Sequence, residues 1–513
     1  MHVQNHRRLL AVLLGLTLLL GGCASTQKRA EDSGASAPLP TAAQPYDAPV
    51  GDAALDYTAL VELYLPSVDG TRLLSQQAQV TLNHGRHPAE AVLRALMTYE
   101  GNRLVRPLGD GVQLQLAGVN PVEISCGVCT VTLASTAMQL SHEALYTVCQ
   151  AMAATLAPYG LHTLNVLISG RAVAMDITAT LPLGSVTAHP ESELPALWRQ
   201  LEARRPGLRA DPEQVSLSAA ATLFFPTQEG TGLLAEPRDV SFAGQTPEQL
   251  AWGLISALSA GPQVLTSAAP MPDISSLLRS MPTVTELPGG GREIRLHFAP
   301  DLAAQLKACG VDMAGFLGSV TYTLSIFLPR LAQVVCFLGD EPLMNVLTAE
   351  NRMLTFPDGV MSRSDFAPFL RDVAMLYFVR DEHLVAVPRP VPYYEARNPR
   401  YLLLRLMDGP TRAEGAAGLV SLLPAHLGDA DMLGFSVRGD ELLCNLSASF
   451  AAACQGVPAA QERLMAYSII NTLCDAVNCR RVRFFFGSLP QDTLAGSVWW
   501  NGSFLRNTSM VQP

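Results

Sequence analysis

The stretch QERLMAYSIINTLCDAVNCRRVRFFFGSL, residues 461–489, determines how the rest of the chain is interpreted. Its apolar residues fall at helical spacing up to Val477, and a predicted strand over residues 482–486 follows. The same helix-then-strand pattern occurs at residues 141–170 (SHEALYTVCQAMAATLAPYGLHTLNVLISG) and 312–339 (DMAGFLGSVTYTLSIFLPRLAQVVCFLG). The chain is therefore predicted to contain three copies of one unit.

The elements before these stretches also repeat in one order. Each copy opens with a predicted strand and turn, followed by a helix with proline at its first position and then a pair of strands. The opening strands are 61–66, 221–226 and 374–379, the prolines are Pro88, Pro247 and Pro399, and the strand pairs are 112–116 with 122–133, 283–287 with 293–298, and 433–437 with 441–446. The resulting order is β-α-β-β-α-β.

This order is typical of split βαβ sandwiches. We predict an α+β fold of three tandem modules, each an antiparallel or mixed sheet with two helices on one face. Module 1 spans residues 56–180, module 2 residues 215–343 and module 3 residues 372–496. Residues 181–214 and 344–371 are predicted linkers, each with a short helix, and residues 497–513 form a tail.

The N-terminus has the pattern of an export signal. Residues 6–8 are basic or histidine, residues 9–20 are apolar, and Leu20-Gly21-Gly22-Cys23 resembles a bacterial lipobox. Residues 1–22 are then a signal peptide and Cys23 carries the lipid, although a plain secretory signal or an uncleaved anchor is the alternative. Residues 23–55 lack an apolar period and are predicted to be a disordered tether.

Length and composition limit the classes of function. A chain of 513 residues is too long for one hydrophobic core, so about three domains are expected. The chain is 49% hydrophobic and 16% charged, with a net charge of -10. Nucleic-acid binders need basic stripes that meet phosphates, and none is present in the sequence, so nucleic acid is excluded as a partner.

Several short motifs mark the copies. They are Asp69-Gly70 and Glu229-Gly230 in the opening turns, residues 258–262 (LSAGP) and 406–410 (LMDGP) after the first helices, Leu446-Ser447, residues 469–473 (IINTL) and 481–484 (RVRF), and Gly487. In these motifs and their order the chain resembles the GerM domain family of bacterial envelope lipoproteins, and the third copy resembles it most closely. The second departs most, because Gly289-Gly290-Gly291 widens its hairpin.

The resemblance implies a fold similar to the ring-building domains of spore-envelope secretion complexes. It also implies a role in protein assembly at the envelope, linked to sporulation or spore germination, and it implies no catalytic residues.

The residues themselves also give no catalytic signature. The sequence has no G-x-S-x-G elbow, no H-E-x-x-H and no glycine-rich phosphate loop after a strand. The ten histidines are scattered, which favours surface or capping duty over metal ligation. We therefore predict a protein that is not an enzyme and has neither a cofactor nor a metal site.

The cysteines provide the strongest competing signal. Cys126 and Cys129 form a C-x-x-C within a strand pair, whereas a redox motif lies at a helix start, where the thiol pKa is lowered. A small disulfide between Cys126 and Cys129 and a pair of free thiols are the two interpretations that remain. Pairing of Cys454 with Cys479 is also open, because an exported location permits disulfides.

The tail contains the one aromatic cluster, residues 498–504. Trp499 and Trp500 either cover the sheet of module 3 or are exposed and contact a partner or the lipid interface. The function predicted from all these features is a lipid-anchored protein on the extracytoplasmic face of the cell membrane that assembles with envelope or spore-assembly proteins or with further copies of itself. The alternative is a ligand-binding or wall-binding lipoprotein with a pocket between modules, using Trp499 and Trp500 or Trp198.

Overall fold

In the computed structural model, which describes residues 47–52, 55–175, 181–203, 216–424 and 426–512, the three long helices form where the sequence predicts them. They are His142–Leu156, Met313–Phe327 and Ala459–Val477. The first two begin at side-chain caps, since Ser141 Oγ accepts from the Ala144 amide and Asp312 from the Gly315 amide. The third ends at Asn478, which takes the left-handed conformation that stops a helix.

The three modules share one order of main elements, to which modules 2 and 3 add short helices and the following segments add further short elements. Module 1 and the following segment contain β1 (Asp56–Pro66), β2 (Leu73–Asn83), α1 (Ala89–Thr98), β3 (Val122–Ser125), β4 (Val128–Leu133), α2 (His142–Leu156), β5 (Thr163–Ile168), β6 (Arg171–Ala172), β7 (Val186–Thr187) and α3 (Leu194–Ala203).

Module 2 and its following segment contain β8 (Leu217–Pro226), β9 (Leu233–Phe242), α4 (Pro247–Ser259), α5 (Ile274–Leu277), β10 (Thr283–Glu286), β11 (Arg292–Phe298), α6 (Leu302–Ala308), α7 (Met313–Phe327), β12 (Leu331–Leu338), β13 (Glu341–Pro342), β14 (Asn345–Leu347), β15 (Met353–Thr355), β16 (Val360–Met361) and α8 (Arg363–Phe366). Module 3 and the tail contain β17 (Arg371–Arg380), β18 (His383–Pro392), α9 (Pro399–Met407), α10 (Arg412–Ala416), β19 (Met432–Arg438), β20 (Glu441–Leu446), α11 (Ala448–Ala453), α12 (Ala459–Val477), β21 (Arg481–Phe486) and β22 (Ser503–Leu505).

Each module opens with a β-hairpin, whereas the sequence predicts one strand and a turn. The hairpins β1–β2, β8–β9 and β17–β18 are antiparallel pairs that form two-stranded sheets of their own. The turn residues Gly70 and Gly230 have positive φ, as the sequence predicts for a tight turn. The additional strand changes the order to β-β-α-β-β-α-β.

The remaining strands of each module form a mixed sheet. In module 1, β3 pairs antiparallel with β4, and β4 pairs parallel with β5. The same arrangement occurs in β10–β11–β12 and β19–β20–β21. In module 1 the hairpin turn is at Cys126 and Gly127, both with positive φ, and not between residues 116 and 122 as expected. The predicted α+β class is confirmed.

The segments after the modules complete these sheets. The last strand of each mixed sheet pairs antiparallel with a strand from the segment that follows: β5 with β7, β12 with β16, and β21 with β22. The predicted linkers and tail therefore belong in part to the sheets. A strand added to an edge pairs its backbone groups, which an exposed edge leaves unpaired.

The long helix of each module lies between the hairpin and the mixed sheet. It contacts both, and 14 of the 15 residues of α7 are buried. One threonine per helix accepts a hydrogen bond from the backbone of the opening strand: Thr155 from Tyr64 N (2.9 Å), Thr323 from Phe224 N (3.0 Å) and Thr472 from Tyr377 N (3.2 Å). The three modules thus share one helix–strand contact.

The buried apolar residues form three large clusters that follow the modules. The cluster of module 1 lies around Leu63, that of module 2 around Phe224, and that of module 3 around Phe484. That the three modules are independently folding domains stays a prediction.

Candidate functional site

The modules meet at the hairpin turn between β3 and β4. Cys126 N donates to an Asp372 carboxylate oxygen of module 3 over 2.9 Å, and Ala235 N of module 2 donates to Ser125 Oγ over 3.0 Å. Burial raises the pKa of Asp372, while the hydrogen bond from Cys126 opposes that rise. All three modules therefore contact one turn, which fixes their arrangement.

A buried ion pair strengthens this junction. Arg363 Nη1, in the segment before module 3, lies 2.7 Å from Glu123 Oε2 of module 1, with side chains 17% and 8% exposed. Burial raises the pKa of Glu123, and the Arg363 guanidinium opposes the rise. Because removal of one partner would leave a buried charge unpaired, this pair makes the arrangement specific.

A polar network joins modules 1 and 2. Asn165 Nδ2 donates to Thr222 Oγ1 over 3.0 Å, and Ser185 Oγ donates to Asn165 Oδ1 over 2.8 Å. Asn165 and Thr222 are buried, so their hydrogen bonds determine how closely the modules approach.

A cleft of about 650 Å³ lies between modules 1 and 3. Module 1 contributes the end of β2, the start of α1 and strand β3, while module 3 contributes the segment between β18 and α9. The lining residues that matter below are Arg86, His87, Glu90, Arg94, Tyr393 and Tyr394. The cleft is the candidate functional site.

Two adjacent tyrosines form the module 3 side of the cleft. The rings of Tyr393 and Tyr394 are 5.5 Å apart and perpendicular to one another. Tyr394 is 60% exposed, whereas burial raises the pKa of Tyr393 to about 12. The sequence analysis missed both residues, and the doubled tyrosine before a helix was the one signal available.

The module 1 side of the cleft carries two arginines, Arg86 and Arg94, and two carboxylates, Asp56 and Glu90. Arg94 pairs with Glu90 across one helical turn at 2.7 Å, and Arg86 is exposed at the entrance. Burial and the nearby Arg397 guanidinium lower the pKa of His87 to about 3, so its ring is neutral at physiological pH. Glu90 is held by Arg94, and the neutral His87 ring accepts from the Ala89 amide. An ion-paired Glu90 and a neutral His87 ring suit binding of a partner or ligand rather than proton transfer.

No metal centre is present in the part of the chain that the structure describes. No group of three or more His, Cys, Asp or Glu residues there is arranged to hold an ion.

The match to a family model falls on module 3. Residues 375–491 match the family model described as Germane: Sporulation and spore germination. This segment belongs to the Germane family. The Germane segment includes Tyr377 and Thr472, which make the helix–strand contact described above, and it includes Tyr393 and Tyr394 of the cleft.

Two of the solved structures that match are described here. The tandem GerMN domains of the sporulation protein GerM from Bacillus subtilis are 15% identical, with 60% of this chain and 99% of that chain covered and a TM-score of 0.20. A candidate lipoprotein from Clostridium perfringens is 21% identical, with 26% of this chain and 88% of that chain covered and a TM-score of 0.19. Comparison with curated proteins gives no match.

The two tryptophans that follow the Germane segment separate in the structure. Trp500 is fully buried and packs edge-on against Phe484 at 5.1 Å, and its Nε1 donates to Glu462 Oε1 over 2.9 Å. The expectation of an exposed Trp500 is therefore wrong, because the tail folds back as β22 and covers the Germane core. Trp499 is 60% exposed, and its contact with a partner stays a prediction.

Cys126 and Cys129 are free thiols in the structure, as are the other described cysteines. Burial raises the pKa of Cys126 to about 12 and raises that of Cys129 as well, which makes both thiols poor nucleophiles. A disulfide between them stays a prediction. Cys454 and Cys479 are also free, and Cys454 Sγ contacts Met465 Sδ at 3.8 Å.

The predicted signal peptide, residues 1–22, and the predicted lipidation site Cys23 lie outside the described residues. Within the described ranges, no helix has the length and apolarity of a bilayer-spanning segment.

Proposed function

We propose that this protein is a non-enzymatic lipoprotein, anchored through Cys23 on the outer face of the cell membrane, that mediates protein–protein assembly linked to sporulation or spore germination. The Germane segment supports the link to sporulation and germination. The cleft between modules 1 and 3 carries the proposal, because tyrosine and arginine are the residues most enriched at the energetic centres of protein interfaces.

The cleft offers a partner protein an aromatic contact and a charged contact. Tyr394 presents an exposed ring with few rotatable bonds, so little conformational entropy is lost when a partner covers it. Arg86 provides an exposed cationic group in the lining of the cleft, which can pair with an acidic or carbonyl-rich segment. Envelope or spore-assembly proteins are the proposed partners, and a second copy of this chain is a further one.

The test is affinity purification of the anchored protein from envelope fractions. Tyr394→Ala removes the exposed ring, and we expect it to weaken recovery of the partner about tenfold or more, as truncation of an interface centre does. Val264→Ala is the matched control, because Val264 is a 77% exposed residue of module 2 outside the cleft. Equal recovery with Tyr394→Ala and Val264→Ala would contradict the assembly role of the cleft.

The size of the cleft supports a second candidate function. A volume of about 650 Å³ lies within the range of roughly 300–1,000 Å³ that is usual for small-ligand sites. Aromatic rings beside arginine also suit a sugar ring with polar substituents. The alternative is therefore binding of a cell-wall glycan, which predicts that purified wall material pellets the wild-type chain and that Tyr394→Ala abolishes this. Trp198 does not line the cleft; its ring lies 5.9 Å from Tyr146.

A further inference from the structure

Residues 48–52, here called the N-terminal strap, lie against module 3 although module 1 is next in the sequence. Gly51 N donates to Leu433 O of β19 over 2.7 Å, and Asn445 Nδ2 of β20 donates to Pro49 O over 2.8 Å. Pro49 is buried. The expected disordered tether, residues 23–55, is therefore wrong for these residues, because hydrogen bonds and burial hold them in place.

A charged clamp completes the contact. Arg400 Nε and Nη2 each donate to one carboxylate oxygen of Asp52, over 2.7 and 2.9 Å. Two parallel hydrogen bonds of this type fix orientation as well as distance. Arg400 also contacts Asp429 at 3.1 Å, so the guanidinium is held from two sides.

The surface beneath the strap is shaped for it. Gly434 of β19 has no side chain where the strap crosses, and a Cβ atom there would lie 2.7 Å from Pro49 O. The φ of Gly434 is not positive, so the backbone conformation does not require glycine. The close approach of the strap is the reason for glycine in this strand.

The strap lies on the outer face of the module 3 sheet. Val482 and Phe504 face the core as a cross-strand pair, so their neighbours Arg481 and Leu505 face outward. Asn445 likewise lies on the outer face, between the buried residues Cys444 and Leu446. The strap, Arg481 and Leu505 therefore share one face of the sheet.

Exposed apolar side chains lie in the strap, next to its contact with Asn445, and on β22 of the same sheet. Val50 is 83% exposed, Leu489 65% and Leu505 58%. Leu489 is next to Ser488, whose hydroxyl contacts the same Asn445 amide that binds Pro49. Arg481 lies on the same face and pairs with Asp440 at 3.9 Å, both side chains being about half exposed. Exposed apolar side chains suit the interfacial region of a bilayer.

We propose that this outer face of module 3, here called the strap face, rests on the lipid surface. The proposal depends on the lipid anchor of the proposed function. Cys23 precedes Pro49 by only 26 residues, and the chain that connects them joins the folded unit at the strap. A short tether that ends on the strap face holds this face near the bilayer, with the C-terminal module nearest the membrane.

The test measures distance from the bilayer in the full mature chain, lipidated at Cys23 and reconstituted in vesicles of phosphatidylglycerol and phosphatidylethanolamine. A donor dye is attached at Leu505→Cys or, as controls, at Val264→Cys of module 2 or Val119→Cys of module 1, which replace residues 77% and 96% exposed. Headgroups carry the acceptor dye. We expect greater energy transfer from position 505 than from either control. Equal or smaller transfer from position 505 would overturn the proposal.

A second variant tests the strap itself. Gly434→Val places atoms where the strap crosses, so energy transfer from position 505 should fall to the value of the controls, whereas Gly428→Ala should leave it unchanged because no atom lies within 4 Å of a Cβ there. Asp52→Ala removes the clamp without touching module 3 and should also reduce the transfer. Unchanged transfer in both strap variants would refute the role of the strap.

A further variant distinguishes failure of the strap-face proposal from failure of the proposed lipid anchor. Cys23→Ser should release the chain from the vesicles, and a chain that stayed attached by another route would contradict the lipid anchor. Attachment that requires Cys23, combined with equal transfer from all three positions, would overturn the strap-face proposal alone.

Discussion

The hydroxyl of Thr472 should contribute measurably to the stability of module 3. Thr472 is fully buried in α12, and its Oγ1 accepts from Tyr377 N of the opening strand at 3.2 Å. Thr472→Val keeps the shape of the side chain but removes the acceptor. The amide of Tyr377 is then left without this partner beside a buried helix, which costs about 1–3 kcal/mol.

Hydrogen–deuterium exchange read by mass spectrometry measures this cost locally. If amides of β17 and α12 exchange through opening of module 3, a loss of about 1–3 kcal/mol speeds their exchange about 5- to 150-fold. Ser468→Ala removes the second contact to the same strand residue, since Ser468 Oγ donates to Tyr377 O. Its expected cost is smaller, about 1 kcal/mol.

The control is Thr508→Val, which replaces an exposed threonine of the tail and should change exchange by less than a factor of about two. Thr155→Val and Thr323→Val should act in the same way on modules 1 and 2. If Thr472→Val exchanges like the Thr508 variant, the shared helix–strand contact contributes nothing and the reasoning fails.

Acid pH, one ion pair and the cysteines provide three further tests. Burial alone would raise the pKa of Glu462, but hydrogen bonds from Ser497, Ala495 and Trp500 outweigh burial and lower the pKa. Module 3 should therefore lose stability as pH falls below about 4.3. Glu462→Gln should remove this part of the pH dependence of urea unfolding. Arg363→Met should destabilise by about 3–5 kcal/mol because Glu123 stays buried without its partner, as measured by urea unfolding. Cys126 and Cys129 should both react with a thiol reagent after unfolding without reductant, and resist it in the native state.

The ion-pair test has a control variant, and the other two tests have outcomes that would contradict them. For Arg363→Met it is Arg279→Met, which breaks an exposed pair with Asp340 and should cost less than about 1 kcal/mol. If Cys126 and Cys129 both stay unlabelled after unfolding without reductant, a disulfide between them is indicated and the free state is contradicted. A pH profile that Glu462→Gln leaves unchanged would assign the acid sensitivity to other groups.

The sequence predicted the long helices well because their apolar residues recur at helical spacing over four or more turns, which a short strand cannot imitate. It missed the second strand of each opening hairpin for a physical reason. Strand β2 reads LLSQQAQVTLN and faces solvent with polar residues, while β18 reads HLVAVPRPVP. Prolines argue against a central strand but are tolerated where no further strand pairs, as in a two-stranded sheet.

The functional features were less accessible from sequence because they depend on distant segments. Tyr394 forms part of a cleft only because module 3 lies against α1 of module 1. No periodicity in the sequence predicts that contact between modules. The strap brings together residues nearly four hundred positions apart in the sequence. Gly434, a glycine within a predicted strand, was the one local sign that another backbone segment approaches there. Trp500 was ambiguous because an aromatic residue in a tail is compatible both with burial and with contact with a partner.

Cross-linking in the living cell tests the central claim most directly, namely that the modules are arranged for contact with a partner protein. A photo-reactive phenylalanine placed at Tyr394 in the full, lipid-anchored chain should give a discrete protein adduct in the envelope, and the same group at Val264 should give none. Absence of any adduct at position 394, or identical adducts at both positions, would contradict the account.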